Sequence, residues 1–279
     1  MSFQTETQVL LDFLQMKFAG SSITFVASGW SSLVFQVDNN IVRFPKQNTE
    51  DYLFEEYICP IVQVYSSFEI PQVTFVNDIF PFAIHPKIEG SQLTFSNTTK
   101  NHKGIVNDIA CFLSQIHSIP LNDIIRVAPI ESPTDIKKIE VKLSCLFDHK
   151  ELSAICKKYE EIYSKDSPST VFIHADLQRE NMIVDYKGRL KGVIDWCNSG
   201  KGEKERDLIK ILDNWGDEFL RLCIQQYEEI TNDKIDIVRV YDLQLTSMID
   251  TLYWSDPSDV SRGITVSKIK KYIYEPISQ

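Results

Sequence analysis

Residues 171–196 restrict this chain more than any other stretch. Val171-Phe172-Ile173 is a short run of the composition that favours a strand. It leads into the polar loop His174-Ala175-Asp176-Leu177-Gln178-Arg179-Glu180-Asn181. Met182-Ile183-Val184, the turn Lys187-Gly188 and Leu190 to Ile194 then read as a hairpin that ends on Asp195-Trp196. An Asn thus follows the loop Asp by five residues, and another Asp follows that Asn by 14. Phosphoryl transfer needs these residue types. One carboxylate must accept or orient the proton of an attacking hydroxyl, and a separate Asp and an Asn carbonyl must hold magnesium ions on the phosphates. Magnesium prefers hard oxygen donors, which carboxylate and amide supply better than His or Cys.

The flanking sequence divides in two. Val9, Leu10, Phe13, Leu14 and Phe18 recur at helical spacing. Ile23 to Val26, the polar turn Ala27-Ser28-Gly29-Trp30-Ser31-Ser32 and Leu33 to Val37 form a hairpin pattern, and Ile41 to Pro45 is a third strand. Residues 50–65 are helical, with Leu53, Tyr57, Ile61 and Val64 on one stripe. Val73 to Val76 and Phe80 to Ile84 add two strands, which makes an antiparallel sheet with one inserted helix. Past Gly90 helices dominate, over roughly 104–117, 134–147, 150–164, 205–213, 217–230 and 236–252. The expected organisation is residues 1–84, a hinge at 85–90, and a helical part at 91–279.

Composition excludes several classes of partner. Lys plus Arg is 29 and Asp plus Glu is 39, so the net charge is −10. Such a chain repels phosphate backbones and attracts cations, which makes nucleic acid a poor partner and a cationic small molecule a good one. No apolar run reaches the about 18 residues of a membrane span, and the first residues lack a basic, apolar leader. Six scattered cysteines with no C-x-x-C pair argue against zinc and disulfides; they are expected as small buried hydrophobes. His85, His102, His117 and His149 share no metal spacing and read as core or surface histidines. A cytoplasmic monomer without membrane contact is expected.

His-x-Asp-x-x-x-x-Asn followed by Ile194-Asp195-Trp196 resembles the catalytic loop and metal segment of the aminoglycoside phosphotransferases and related small-molecule kinases. The resemblance spans about residues 20–260 and is sharp over 171–208. It implies an α+β, two-lobed protein-kinase-like fold, with an antiparallel-sheet lobe carrying one helix and a mainly helical lobe. It implies a phosphotransferase using ATP or GTP and Mg²⁺ on a cationic small-molecule acceptor, foremost an aminoglycoside. A choline, methylthioribose-like or other antibiotic kinase, or a nucleotide-binding pseudokinase, is the alternative.

The same resemblance implies roles for individual residues. Asp176 would be the catalytic base, His174 a loop-ordering residue, Asn181 and Asp195 the metal ligands, and Asp207 a brace for the loop. Gly29, Ser31 and Ser32 would form the turn over the phosphates. Arg43 stands where the family has a nucleotide-binding lysine, with Glu56 as its ion-pair partner and Lys46 in reserve. Phe82 to Gly90 resembles the hinge, which places Phe82, Ile84, Pro86 and Ile88 at the base. Asp213, Asp217 and Glu218, with Trp254 nearer the C-terminus, are the acceptor candidates; Asp213 and Asp217 share a face if one helix carries both. Ala175 replaces the family's glycine, and its methyl fits if φ stays negative.

Overall fold

A computed structural model describes residues 3–29, 31–125, 127, 134–165 and 170–275. Trp30 of the expected phosphate turn lies outside the described residues. Helix α1 (Phe3–Lys17) precedes strands β1 (Ile23–Ser28), β2 (Ser32–Val37) and β3 (Asn40–Pro45). Helix α2 (Glu50–Tyr65) follows, then β4 (Thr74–Val76) and β5 (Phe82–Pro86). These strands form one antiparallel sheet in the order β1-β2-β3-β5-β4.

Strand alternation gives this sheet two distinct faces. Leu33, Phe35, Val42, Phe44 and Phe82 pack beneath Leu10, Phe13 and Leu14 of α1. Phe13 meets Phe44 and Phe82 edge-on, with ring centroids 6.1 and 6.2 Å apart. Each such buried side chain stabilises the fold by about 1.5–3 kcal/mol. The opposite face carries Val34, Ile41, Arg43 and His85, which line a cavity.

After β6 (Ser91–Gln92) come α3 (Phe95–Lys100), α4 (His102–His117), α5 (Ile136–Leu143) and α6 (His149–Ser164). A small β patch follows: β7 (Val171–Ile173), β8 (Met182–Val184), β9 (Leu190–Val193) and β10 (Gly200–Gly202). β8 lies between β6 and β9, and β7 pairs with β10. The chain finishes with α7 (Arg206–Trp215), α8 (Asp217–Thr231), α9 (Ile237–Trp254) and α10 (Arg262–Tyr274). The architecture is α+β and two-lobed. Ile105, Ile109, Phe112, Leu113 and Ile116 of α4 are fully buried and join Leu220 and Tyr227 of α8 in the main core. A second core gathers Ile139, Ile155, Leu245 and Ile269 from α5, α6, α9 and α10. A reciprocal cap starts α6: Glu151 N donates to Asp148 and Asp148 N donates to the Glu151 side chain.

The two lobes are laced by backbone. Glu69 N donates to Lys191 O at 2.8 Å, and Val193 N donates to Glu69 O at 3.1 Å. Gly192 permits this crossing, since a Cβ there would stand 2.4 Å from Glu69 O.

Several expectations need correction. Strand β5 continues through His85 and Pro86, so the connection between lobes starts later than residue 85. Helix α5 ends at Leu143 rather than 147. Helix α10 lies beyond the helices expected from the sequence; its short stripe Val266, Ile269, Tyr272 and Ile273 packs on the second core, with only Ile269 fully buried. On α2 the expected stripe is only half turned to the core: Tyr57 and Ile61 pack partly buried against it. Leu53 and Val64 are 48% and 81% exposed, whereas Tyr52, Glu55, Ile58, Cys59 and Val62 are buried. All six cysteines are free, but only Cys59 and Cys223 are buried. No helix among the described residues is long and apolar enough to cross a membrane.

Candidate active site

An open cavity of about 880 Å³ runs between the sheet and the β8–β9 hairpin. Its far wall is the loop after β7. There Ala175 adopts φ +64°, not the negative value expected. A left-handed conformation costs a residue with a Cβ roughly 1–2 kcal/mol, and neighbouring hydrogen bonds hold it. Asp207, fully buried at the start of α7, accepts from Ala175 N at 2.6 Å and His174 N at 3.1 Å. His117 of α4 reaches the same carboxylate through Nε2 at 3.1 Å, while its Nδ1 lies 3.1 Å from Tyr227 OH. Thus His117, read as a bland histidine, forms part of the brace. Its place at the end of α4 was visible in sequence, but its partner 90 residues away was not.

His174 has both ring nitrogens occupied. Nε2 donates to Ile194 O at 3.2 Å, and Nδ1 accepts from Asp176 N at 3.3 Å. The ring therefore ties the loop to the strand end that carries Asp195. Asn181 Nδ2 donates to Asp176 O at 2.9 Å and approaches Asp176 Oδ2 at 3.3 Å. Burial raises the pKa of Asp176, against the lowering effect of Lys210 and His174. Lys210 Nζ stands 3.8 Å from Asp176 Oδ1. The only sequence signal for this lysine is its place one turn after Asp207 on α7.

Asp195 also has a positive φ, +68°. Strain of this kind persists where surroundings over-determine it. Cys197 Sγ donates to Asp195 Oδ1 at 3.2 Å, and the next amide, Trp196 N, donates to Glu55 Oε1 at 3.0 Å. Glu55 also grips Arg43, with Nη1 3.4 Å from Oε1 and Nη2 bonded to Oε2. Burial would lower the Arg43 pKa, but Glu55 outweighs it and holds the guanidinium above its ordinary value. Arg43 Nε is buried without a hydrogen-bond partner among the described residues, and the guanidinium lies 5.0 Å over the Tyr52 ring.

The expected partner Glu56 is a correction. It accepts from Phe75 N at 3.0 Å instead. Successive helical residues lie about 100° apart, so Glu55 and Glu56 cannot both face Arg43. Lys46 bonds Ser28 Oγ at 2.8 Å and Gly29 O, which closes the β1–β2 turn rather than entering the ion pair. Gly29, Ser31 and Ser32 line the cavity at that turn. Asp51, in the first turn of α2, lines it too and was not singled out.

At the other end Ile88 lines the cavity, but Phe82 and Ile84 do not. They lie on the α1 face of β5, because a strand turns alternate residues to opposite sides. Pro86 is exposed and absent from the lining, and His85 takes the place expected of its neighbours.

Two of the acceptor candidates stay close together and Trp254 lies apart from them. Gly216 at φ +83° ends α7 and starts α8, so no single helix carries Asp213 and Asp217. Both turn to α9: Asp213 accepts from Gln244 Nε2 at 2.6 Å, and Asp217 accepts from Tyr241 OH and from Arg221 Nε at 2.7 Å. Glu218 is exposed in the first turn of α8. Trp254 is 72% exposed at the end of α9, about 15 Å along the helix from Gln244.

The donors at the cavity suit magnesium. Asp195 offers a carboxylate, and Asn181 offers its amide oxygen because its nitrogen is spent on Asp176. No group of three or more His, Cys, Asp or Glu among the described residues could hold a metal alone.

Comparison with known proteins gives a consistent picture. The model of the phosphotransferase enzyme family matches residues 22–241. The GDP complex of wild-type aminoglycoside 2'-phosphotransferase-IIIa superposes with TM-score 0.72 at 15% identity, over 97% of this chain and 99% of that one. A streptomycin-ATP-APH(2")-IIa ternary complex gives 0.70 at 19% identity, over 95% and 97%. Macrolide 2'-phosphotransferase MphH from Brachybacterium faecium gives 0.65 at 13% identity, over 98% and 99%. At these identities the likeness is one of fold.

Proposed function

This chain belongs to the phosphotransferase enzyme family, and from that premise we propose that it moves the γ-phosphate of ATP or GTP to a hydroxyl of a small-molecule acceptor. The observation that carries the reading is the convergence of Arg43, Asp176, Asn181 and Asp195 on one cavity. Asp176 orients the acceptor hydroxyl and takes its proton as oxygen attacks the γ-phosphorus and the bond to the β-phosphate oxygen breaks. Arg43, aimed by Glu55, holds phosphate oxygens; its planar fork and permanent charge suit that task. Asn181 and Asp195 would hold Mg²⁺, which when bound neutralises charge on the phosphates. His174, His117 and Asp207 keep the loop in place without touching the reacting atoms.

For the acceptor, aminoglycosides lead. The net charge of −10 favours a cation, and a structure of this fold is a complex with streptomycin. A macrolide-type acceptor with little charge is the second reading. It is favoured by the occupied carboxylates of Asp213 and Asp217 and by Lys210 beside Asp176. The test is nucleotide consumption with ATP and with GTP across aminoglycosides, macrolides and small alcohols. Acceptor-dependent turnover with a phosphorylated product supports the reading. Tight nucleotide binding with no turnover on any acceptor would leave the pseudokinase reading in its place.

A further inference from the structure

The acceptor must reach Asp176 from the side that the nucleotide leaves free, and the two carboxylate oxygens face different surroundings. Asp176 Oδ2 is turned to Asn181 Nδ2 at 3.3 Å and to Gln178 Nε2 at 3.4 Å, and both of those residues line the cavity. Oδ1 is turned to Lys210 Nζ at 3.8 Å. Lys210 stands on α7 and is not among the residues that line the cavity. In phosphoryl transfer the attacking and leaving oxygens stand roughly in line across the phosphorus. With the phosphates in the cavity, the acceptor comes in opposite them, past Oδ1 and Lys210. This rests on the proposed phosphotransferase site.

Lys210 is a cation with little to neutralise it. Its side chain is 35% exposed, and among the described residues Asp176 is the only carboxylate in ion-pair range of Nζ. The two acids three residues away on α7 are engaged elsewhere: Asp207 with the loop amides and His117, and Asp213 with Gln244 of α9. Arg206, one turn before Lys210, adds a second cation to that face of the helix. When Asp176 takes the proton of the acceptor it loses its charge, and Lys210 then loses its one counter-ion.

We propose that Lys210 chooses the acceptor hydroxyl: the enzyme phosphorylates a hydroxyl whose neighbouring carbons carry oxygen, and turns away one whose neighbouring carbon carries an ammonium group. A hydroxyl held by Asp176 stands about 2.6–3.2 Å from the carboxylate, so the substituent on the next carbon comes within roughly 6 Å of Lys210 Nζ. A hydroxyl or ether oxygen there accepts a hydrogen bond from the lysine, whereas an ammonium only donates and meets a like charge. At that separation like charges disfavour the complex by about 100-fold at the effective dielectric of a protein surface, and water around a lysine one-third exposed brings this to about tenfold. The acceptor class is a sugar or polyol whose ammonium groups sit away from the reacting hydroxyl. The net charge of −10 still draws such an acceptor as a whole, while Lys210 acts on one carbon of it.

Kanamycin tests this within one molecule, because it carries hydroxyls of both kinds. The full chain is incubated with kanamycin and Mg-ATP or Mg-GTP, and phosphorus–proton NMR places the phosphate. The expected wild-type product carries it on a hydroxyl with no ammonium on a neighbouring carbon, by about tenfold over the ammonium-flanked positions. Lys210→Arg should keep that ratio, and Lys210→Met should raise the share of ammonium-flanked product about tenfold. The ratio compares hydroxyls of one acceptor on one base, so a general loss of rate or a shifted Asp176 does not move it. A wild-type product on an ammonium-flanked hydroxyl overturns the inference and leaves the phosphotransferase reading in place. So does a Lys210→Met variant, with a cooperative melt, that keeps the wild-type ratio. Where another acceptor turns over instead of kanamycin, its analogue with an amino group replacing the hydroxyl next to the reacting one should lose about tenfold in kcat/KM, and equal values overturn the inference. If no acceptor turns over, the phosphotransferase reading falls and this inference falls with it. Should neither variant fold, the wild-type product still decides.

Discussion

Asp176 is a carboxylate under opposing influences. Burial raises its pKa, while Lys210 and His174 restrain the rise. A base must be ionised to work, so its neighbours set the acid edge of activity. Replacing Asp176 with Asn should cut kcat by about 10²–10⁴ and barely change nucleotide affinity; steady-state kinetics and calorimetry read both. The sign of the stability effect follows from linkage. Folding raises this pKa above the unfolded value near 3.8, so the folded state favours the protonated form. That contribution is full below the unfolded pKa and is lost as pH rises through the folded one. Asp176→Asn should therefore melt above wild type at neutral pH, with the gap closing in acid. Lys210→Met removes a restraining charge 3.8 Å away. Its acid limb in kcat/KM should move to higher pH; an unmoved limb would separate Lys210 from the base.

At the scale of elements, the rotation of α2 decides which acid serves Arg43. The helix has apolar residues on both sides, so the 3.6-residue period identifies a helix without choosing its buried face. Leu53, Tyr57, Ile61 and Val64 form one plausible stripe. Tyr57 and Ile61 of it pack partly buried, but the face buried most deeply is Tyr52, Ile58, Cys59 and Val62, and it brings Glu55 inward with it. Glu55 is fully buried and bonded to Arg43 and to Trp196 N, so it joins sheet, helix and metal segment. Glu55→Ala would strand a nearly buried guanidinium, at about 3–5 kcal/mol of stability. The milder Glu55→Gln should fold and raise the KM for nucleotide. Glu56→Gln weakens one hydrogen bond to Phe75 N, so its melt should shift by no more than about 1 kcal/mol and its nucleotide KM should hold. Equal effects from the two Gln variants would return Glu56 to the site.

For the whole molecule, charge offers a way to tell acceptor classes apart. A net charge of −10 draws a polycationic acceptor to the cavity from a distance, and salt screens that attraction. With an aminoglycoside, which carries several ammonium groups, kcat/KM should fall steeply between low and physiological ionic strength; with a macrolide, which carries fewer amines, the fall should be much shallower. A flat aminoglycoside profile would remove charge steering from the reading. The sequence by itself determined whatever depends on neighbours along the chain. The 171–196 stretch yields its strand, loop and hairpin because local β preference and turn chemistry agree there, and those few residues carry Asp176, Asn181 and Asp195 to one cavity. The α4 core stripe is legible for the same reason. Only tertiary structure decided pairings between distant segments: Glu55 rather than Glu56 at Arg43, Asp207 with His117, Lys210 beside Asp176, and His85 in place of Ile84. The first and last turn on the rotation of a helix or the facing of a strand by a single residue, and the other two on which distant segments meet. Local propensity is nearly indifferent to that choice, and burial of the whole core settles it.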